Sequence, residues 1–340
     1  MGRVRYNLAR PLILYSRKQP RPFMSKYLDA ATHILSLLLH GEFERFWVTV
    51  LHWLLPHVFA GWKSISGRDP RPYRAQGIAC DPVMIYQMAK VGSRSVLFSL
   101  EYSYLRHGLS NVPIHHVHNL VDLDGHEARA RAMGDAEELG VIQQCKHIRR
   151  DFERDPGRHW NIISLVRDPV ARNVGSFFHN LDRYIPDWKP RWQAGALPMD
   201  EILQAFLDTR ELHLTANVWF DVEFKSLLGI DVYDVPFRAV DGFQFYANPP
   251  RVSLAIIRLE DLNRVAAPMM EKFLGIHDFK LYPSNIGEEK NYADVYKAFK
   301  STPLPPEYVE RIYQTRFARH FYTEAELAAF ARKWTRAHKA

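Results

Sequence analysis

The chain has 340 residues, 47% hydrophobic and 24% charged, which are ordinary globular proportions. Its 20 Phe, 16 Tyr and 8 Trp exclude wholesale disorder, and two cysteines, Cys80 and Cys145, exclude a disulfide scaffold and point to a reducing, cytoplasmic compartment. The net charge of +7 suits an anionic ligand, an anionic polymer or a membrane face without choosing among them, and the length allows two domains or one large α/β domain with additions.

Residues 1–22 carry six basic and no acidic side chains, and their apolar stretch, Leu12 to Leu14, is too short for the core of a secretory signal. Phe46 to Trp62 is uncharged for 17 residues but interrupted by Pro56, short of the roughly 20 apolar residues a spanning helix needs. Two readings of residues 1–75 stand. One is a helical pair, 27–40 and 43–60, packed on the main domain. The other is an interfacial segment whose basic arm meets anionic lipid head groups, a peripheral membrane contact at the inner face.

A Gly/Arg/Pro-rich linker at 67–77 separates this region from a second one, 76–340, in which short apolar runs alternate with amphipathic stretches. Strands are predicted at 82–86, 112–117, 161–166 and 252–259. Helices are predicted over 93–106, within 124–153 (weakened by Gly134 and Gly140), and over 169–181, 199–228 (with a break near Thr215), 261–274, 306–319 and 323–337. Residues 229–245 are turn-rich and are expected to hold a small hairpin. Fully apolar strands alternating with helices indicate an α/β fold with a parallel sheet covered on both faces.

Ligands of such sheets bind beyond the carboxyl ends of the strands, and three of those ends carry unusual residues. After the first strand comes Gln87-Met88-Ala89-Lys90-Val91-Gly92-Ser93-Arg94-Ser95. Lys90 and Gly92 occupy a short turn, and a helix then opens with hydroxyl residues. That makes an anion cradle: helix-start N–H groups aim at the ligand, Gly lets the backbone approach and Lys adds charge. The alternative is a plain strand-to-helix turn with a solvated lysine. It is not a Walker A loop, because Lys90 precedes the glycine.

After the third strand comes Arg167-Asp168-Pro169, with Arg172 and Ser176 on one face of the following helix. A guanidinium here can grip a phosphate bidentately, or pair with Asp168 at the surface. After the second strand comes Ile114-His115-His116-Val117-His118, in which His116 and His118 share a face and His115 points the other way. These histidines read as a general base, as buried structural groups, or, with Cys145 and His147, as zinc ligands without tidy spacing. No metal is expected.

The Lys90 loop and the Arg167 segment together resemble the 3′-phosphoadenylyl-sulfate (PAPS)-dependent sulfotransferases. The resemblance implies a P-loop-NTPase-like sulfotransferase fold. Lys90, Val91, Gly92, Ser93, Arg94 and Ser95 would hold the 5′-phosphosulfate of the donor, and Arg167 the 3′-phosphate. The serine expected eight residues after the arginine is here Gly175, with Ser176 one position late. The segments Trp219–Glu223, Gly229–Tyr233, Arg258–Leu262, Glu289–Tyr296 and His320–Tyr322 resemble a bacterial capsular polysaccharide synthesis group that is sulfotransferase-like by fold. The His-x-His resembles the base region of glycosaminoglycan 2-O-sulfotransferases, which implies His118 first and His116 second as base.

The expectation is therefore transfer of a sulfuryl group to a hydroxyl of a glycan or polysaccharide, with no nucleic-acid partner. Glu223 is an alternative acid/base, or else a solvated or salt-bridged helix residue. Asp261 is expected to cap its helix, Glu260 to support the loop, and Lys290 to close over the nucleotide. Trp188, Trp192, Arg183, Lys189 and Arg191 line a glycan groove or form an ordinary loop. Two rivals remain: a nucleotide kinase or related NTPase, and a non-catalytic nucleotide-binding or membrane-associated protein on the same scaffold.

Overall fold

Why the middle of the chain becomes a sheet follows from its apolar runs. Val83–Tyr86 and Trp160–Val166 are buried at every position, and Val252–Arg258 at all but one. Strands of that kind need cover on both faces. The computed structural model describes residues 77–248, 250–282 and 291–336. The basic arm, the expected helical pair at 27–40 and 43–60, all but the last residue of the linker, and Lys290 lie outside the described residues.

The chain order is β1 (Val83–Tyr86), α1 (Ser93–Arg106), β2 (Ile114–Val117), α2 (Leu123–Met133), α3 (Ala136–Arg154), β3 (Trp160–Val166), α4 (Pro169–His179) and the short α5 (Leu181–Tyr184) and α6 (Trp188–Gln193). There follow α7 (Met199–Leu207), α8 (Arg210–Phe220), β4 (Phe243–Asn248), β5 (Val252–Arg258), α9 (Leu262–Leu274), α10 (Ala293–Lys300), α11 (Pro306–Tyr313), α12 (Arg316–Phe321) and α13 (Glu324–Thr335). The five strands lie in the order β2-β1-β3-β5-β4. The first four are parallel and β4 runs antiparallel to β5. The sheet is therefore mostly parallel, and the expected wholly parallel sheet is corrected at this edge. Only three residues join β4 to β5. That suffices for a hairpin, whereas a parallel crossover needs a dozen or more. The small hairpin expected within 229–245 is not formed there; β4 begins only at Phe243 and pairs with β5, the strand expected to be parallel.

Other boundaries moved for local reasons. Gly134, in the left-handed region at φ +65, ends α2 and divides the expected single charged helix, while Gly140 is absorbed inside α3. The break in 199–228 falls at Asp208–Thr209 rather than Thr215, and α8 continues through a π-helical turn, Asp221–Lys225, to Leu228. Residues 306–319 divide where the Thr315 side chain accepts from the Ala318 N–H and starts α12. A Thr323–Glu326 capping box opens α13. The helix α10 was not anticipated.

The topology fixes where a ligand site belongs. The chain leaves β1 for β2 on one side, then returns to β3 on the other, so the strand order reverses between β1 and β3. The crevice beyond their carboxyl ends is the switch point at which ligands of doubly wound sheets bind. Among the described residues no helix is long and apolar enough to cross a membrane.

Candidate active site at the carboxyl ends of β1, β2 and β3

In the parallel register Val83 faces Ile114 and Ile85 faces His116. Side chains alternate, so Gln87, two residues beyond Ile85, comes out on the same face as His116 and His118. The expectation that these two histidines share a face holds: their rings lie 5.0 Å apart, edge to face. His115 turns the other way, against Trp160. Gln87 is fully buried, and its side-chain nitrogen lies 3.0 Å from Ser93 Oγ, 3.1 Å from His116 Nε2 and 3.2 Å from His118 Nδ1. Ser93 Oγ is itself 2.9 Å from His116 Nε2. Ser93 thus joins the lysine loop directly to the histidine pair.

The hydrogen-bond partners assign the tautomers. His118 Nδ1 lies 2.9 Å from the Gln87 carbonyl oxygen, which only accepts. That contact is shorter than the 3.2 Å to the Gln87 amide nitrogen, whose two protons have Ser93 Oγ and His116 Nε2 as nearer acceptors, so the proton is assigned to Nδ1 and Nε2 keeps a lone pair. His116 Nε2 faces an amide nitrogen and a hydroxyl, so its lone pair is already engaged. Burial pushes the His116 pKa down to about 3, with His118 and Arg94 adding to the shift. Burial also lowers that of His118, against the hydrogen bond to the Gln87 carbonyl, and Lys90, Arg94 and Arg172 lower it further. Both rings are neutral at physiological pH, and His118 has the disposition of a base. The Trp219 indole N–H, from α8, donates to the His118 carbonyl at 3.0 Å and holds the backbone of that residue.

The loop itself is tightly determined. Lys90 has φ +72, a left-handed conformation uncommon for a side-chain-bearing residue and frequent at ligand-binding turns. Gly92, at φ +81, is the N-cap of α1, whose first turn carries no acidic residue. A Cβ at Gly92 would meet the tip of the Leu259 side chain just after β5, which can move aside, so it is the left-handed backbone that favours glycine here. Val91 is buried in the core, Arg94 is exposed and Ser95 half-buried.

Arg167 ends β3, half-buried, and its Nη1 donates to the Lys90 carbonyl at 3.1 Å. The two expected anion-binding segments therefore meet. Gly175 belongs to the same place: a Cβ there would stand 3.4 Å from Arg167 Nη1 and 3.7 Å from Lys90 Cβ. Ser176 is buried, one residue and about 100° further round α4. The position facing the cradle is thus the glycine. Asp168 does not pair with Arg167 at the surface. It is buried, caps α4 through the Val170 N–H at 3.0 Å, and accepts from Tyr313 Oη at 2.9 Å and Trp334 Nε1 at 3.0 Å. Glu260 supports this junction as expected, accepting from the Asp168 N–H at 2.8 Å and from Tyr322 Oη at 3.0 Å.

Several other expectations change. Glu223 is neither solvated nor salt-bridged. It is buried in the π turn, and its Oε2 accepts from Tyr86 Oη, from the Leu120 N–H at 2.8 Å and from the Val121 N–H at 3.1 Å. Burial raises its pKa against those bonds. Asp261 makes no side-chain cap; it pairs with Arg258 and Arg264 instead. In the aromatic and basic stretch, Trp188 is buried on Asp182, Arg183 is paired with Asp135 and Arg191 with Glu201, which leaves little of a groove wall. Cys145 is buried on α3 and His147 pairs with Asp151 one turn on. Among the described residues no three His, Cys, Asp or Glu groups converge as metal ligands.

Sequence reasoning missed the role of Gln87. Its signal was present: one polar residue of the right parity, directly after a wholly apolar run. Trp219 gave no such signal, because its contact is with a backbone carbonyl far away in sequence.

Residues 199–323 match the family described as "putative capsular polysaccharide synthesis protein" (NKWYS). That match spans α7 to α12 and so includes Trp219, Glu223, Arg258 and Glu260, while the Lys90 loop, the histidines and Arg167 precede it. Searches with the chain matched no curated protein and no solved structure. By this comparison the chain is similar, over that segment, to proteins of capsule polysaccharide synthesis.

Proposed function

We propose that the protein is a sulfotransferase that moves a sulfuryl group from 3′-phosphoadenylyl sulfate to a hydroxyl of a glycan or polysaccharide. The observation that carries this reading is the junction of Lys90, Arg167 and Gly175 near a histidine whose Nδ1 is held by the Gln87 carbonyl, all at the switch point of the sheet. The capsular match supports a carbohydrate acceptor. The residues fit the donor: a cationic loop at the start of α1 suits a 5′-phosphate, and Gly175 leaves room beside Arg167 for a 3′-phosphate.

The donor supplies an activated sulfuryl group on a phosphate leaving group. The acceptor oxygen forms a bond to sulfur as the bond from sulfur to the bridging oxygen breaks. The electron pair stays on that oxygen, whose charge Lys90 stabilises. The hydroxyl proton passes to His118 Nε2, and the Gln87 carbonyl steadies the imidazolium through Nδ1–H. Alignment and charge stabilisation do most of the work, as in phosphoryl transfer. An apo site that holds His118 neutral amid Lys90, Arg94 and Arg172 becomes more proton-accepting when a polyanion offsets those cations.

The test is calorimetric titration with 3′-phosphoadenosine 5′-phosphate against ADP, on wild type and Arg167→Ala. The expected result is preference for the 3′-phosphorylated nucleotide by tenfold or more, lost in the variant. Equal or absent binding of both nucleotides overturns the assignment.

A further inference from the structure

The helix α1 opens with two hydroxyls, and its period sends them to different sides. Ser93 and Ser95 are two apart, about 200° round the helix, and so do not face one ligand together. Ser93 lies on the buried face with Val96, Leu97 and Leu100, whereas Arg94 is exposed and Ser95 half-buried. The Ser93 side chain is turned inward, and the residue is only 5% exposed.

A hydroxyl in such a place needs partners inside the protein. Gln87 Nε2 donates to Ser93 Oγ at 3.0 Å, and Ser93 Oγ lies 2.9 Å from His116 Nε2, whose lone pair its proton meets. Gln87 Nε2 closes the triangle, 3.1 Å from His116 Nε2. The three corners come from different elements: Gln87 directly follows β1, Ser93 starts α1 and His116 lies in β2.

His118 rests on this triangle by two routes. Its ring packs edge to face on that of His116, with centroids 5.0 Å apart. Its Nδ1 lies 2.9 Å from the carbonyl oxygen of Gln87, the residue whose side chain Ser93 holds. A change at Ser93 Oγ therefore reaches His118 through its neighbours.

The same residue belongs to the lysine loop. Directly after the N-cap Gly92, Ser93 supplies one of the helix-start N–H groups that have no partner within the helix and suit an anion. Its backbone thus serves the cradle, while its hydroxyl is engaged by the histidine pair.

We propose that Ser93 is a positioning residue for that pair, and that its hydroxyl is not a ligand of the donor's 5′-phosphate, contrary to what the sulfotransferase resemblance implies. The hydroxyl holds His116, and the His116 ring together with Gln87 sets the orientation of His118. This deepens the sulfotransferase reading and rests on it for the role of His118 as base.

The first test is nitrogen NMR of the histidine rings in the full chain, without nucleotide. Wild-type His116 is expected as the neutral tautomer with its proton on Nδ1, and a proton on Nε2 overturns the proposal whatever the variants do. Ser93→Ala should shift the His116 ring nitrogens towards a mixture of tautomers and move those of His118 with them. Ser93→Thr, which keeps a hydroxyl, should return both towards wild type, and Ser95→Ala should move neither. His118 resonances unmoved by Ser93→Ala overturn the positioning role. The second test is calorimetry with 3′-phosphoadenosine 5′-phosphate. Ser93→Ala should keep the wild-type affinity within threefold, whereas Lys90→Ala should lose tenfold or more. A tenfold loss in Ser93→Ala would make the hydroxyl a phosphate ligand and overturn the proposal. Failure of wild type to bind the nucleotide speaks against the sulfotransferase reading alone, because the ring spectra decide the role of Ser93 without it.

Discussion

At the scale of single residues, the assignment of the free nitrogen in His118 has a kinetic consequence. A base must be neutral in the resting enzyme, and burial lowers the pKa of His118 below the ordinary histidine value of 6.5. Activity through kcat/KM therefore persists below pH 6.5 and is lost only as pH falls through the lowered pKa. With the polyanionic donor bound, imidazolium is favoured, so the acid limb of kcat should lie at higher pH than that of kcat/KM. Coincident limbs at pH 6.5 or above would reject His118 as the base. The same depression acts on stability. Between pH 6.5 and about 3 the unfolded chain binds a proton that folded His116 refuses, so stability from this residue is complete above 6.5 and declines as pH falls. Gly175 carries a second prediction. A Cβ there meets Arg167 at ordinary contact distance, so Gly175→Ser is sterically admissible. Its hydroxyl, beside Arg167, should tighten 3′-phosphoadenosine 5′-phosphate by roughly threefold to tenfold, in keeping with about 1 kcal/mol for one hydrogen bond. An unchanged or weaker affinity would mean that the 3′-phosphate does not lie there.

At the scale of elements, the π turn in α8 is the least ordinary feature. It lets Trp219 reach the His118 carbonyl and Glu223 reach the Leu120 and Val121 N–H groups, so α8 grips the end of β2 and the loop after it. Replacing Glu223 by Ala abandons two backbone donors and the Tyr86 hydroxyl in a buried place, which should destabilise the fold by about 2–4 kcal/mol. Urea unfolding measures this, and a loss under ~0.5 kcal/mol would show that the contacts carry no weight. Glu223→Gln, which keeps one acceptor, should lose less. None of this was readable in the sequence, where Glu223 looked like a surface helix residue, because a π turn has no compositional signature and its partners lie about 100 residues away. The strands and the helices nearest to them were legible, since unbroken apolar runs and the Gly92 and Pro169 boundaries act locally: α1 has the expected bounds, and β3 and β5 are within a residue. Lys90 and Arg167 were legible as strand-end cations, but their meeting through the Lys90 carbonyl needed the sheet order. The antiparallel edge was missed because β4, buried at only one of its six positions, reads like a turn region.

At the scale of the whole molecule, the site is tied to the C-terminal helices through one carboxylate. Asp168 follows Arg167 directly, opens α4, and accepts from Tyr313 of α11 and Trp334 of α13, while its own N–H reaches Glu260, which also holds Tyr322. Residues as much as 166 positions apart in the sequence thus fix the backbone that aims Arg167. Asp168→Ala would leave the Trp334 N–H, the Tyr313 hydroxyl and the Val170 N–H without their acceptor in a dry interior. The expected loss is about 2–4 kcal/mol, with Asp168→Asn losing roughly half of that because one oxygen still accepts. If the carboxylate positions Arg167 as well as holding the fold, nucleotide affinity should also drop in the Asn variant under conditions where it is fully folded. If stability falls but affinity stays within twofold, Asp168 is a staple for α11 and α13 alone. An Ala variant as stable as wild type would remove both roles, and would mean that the C-terminal helices are held by their apolar contacts without this buried anion.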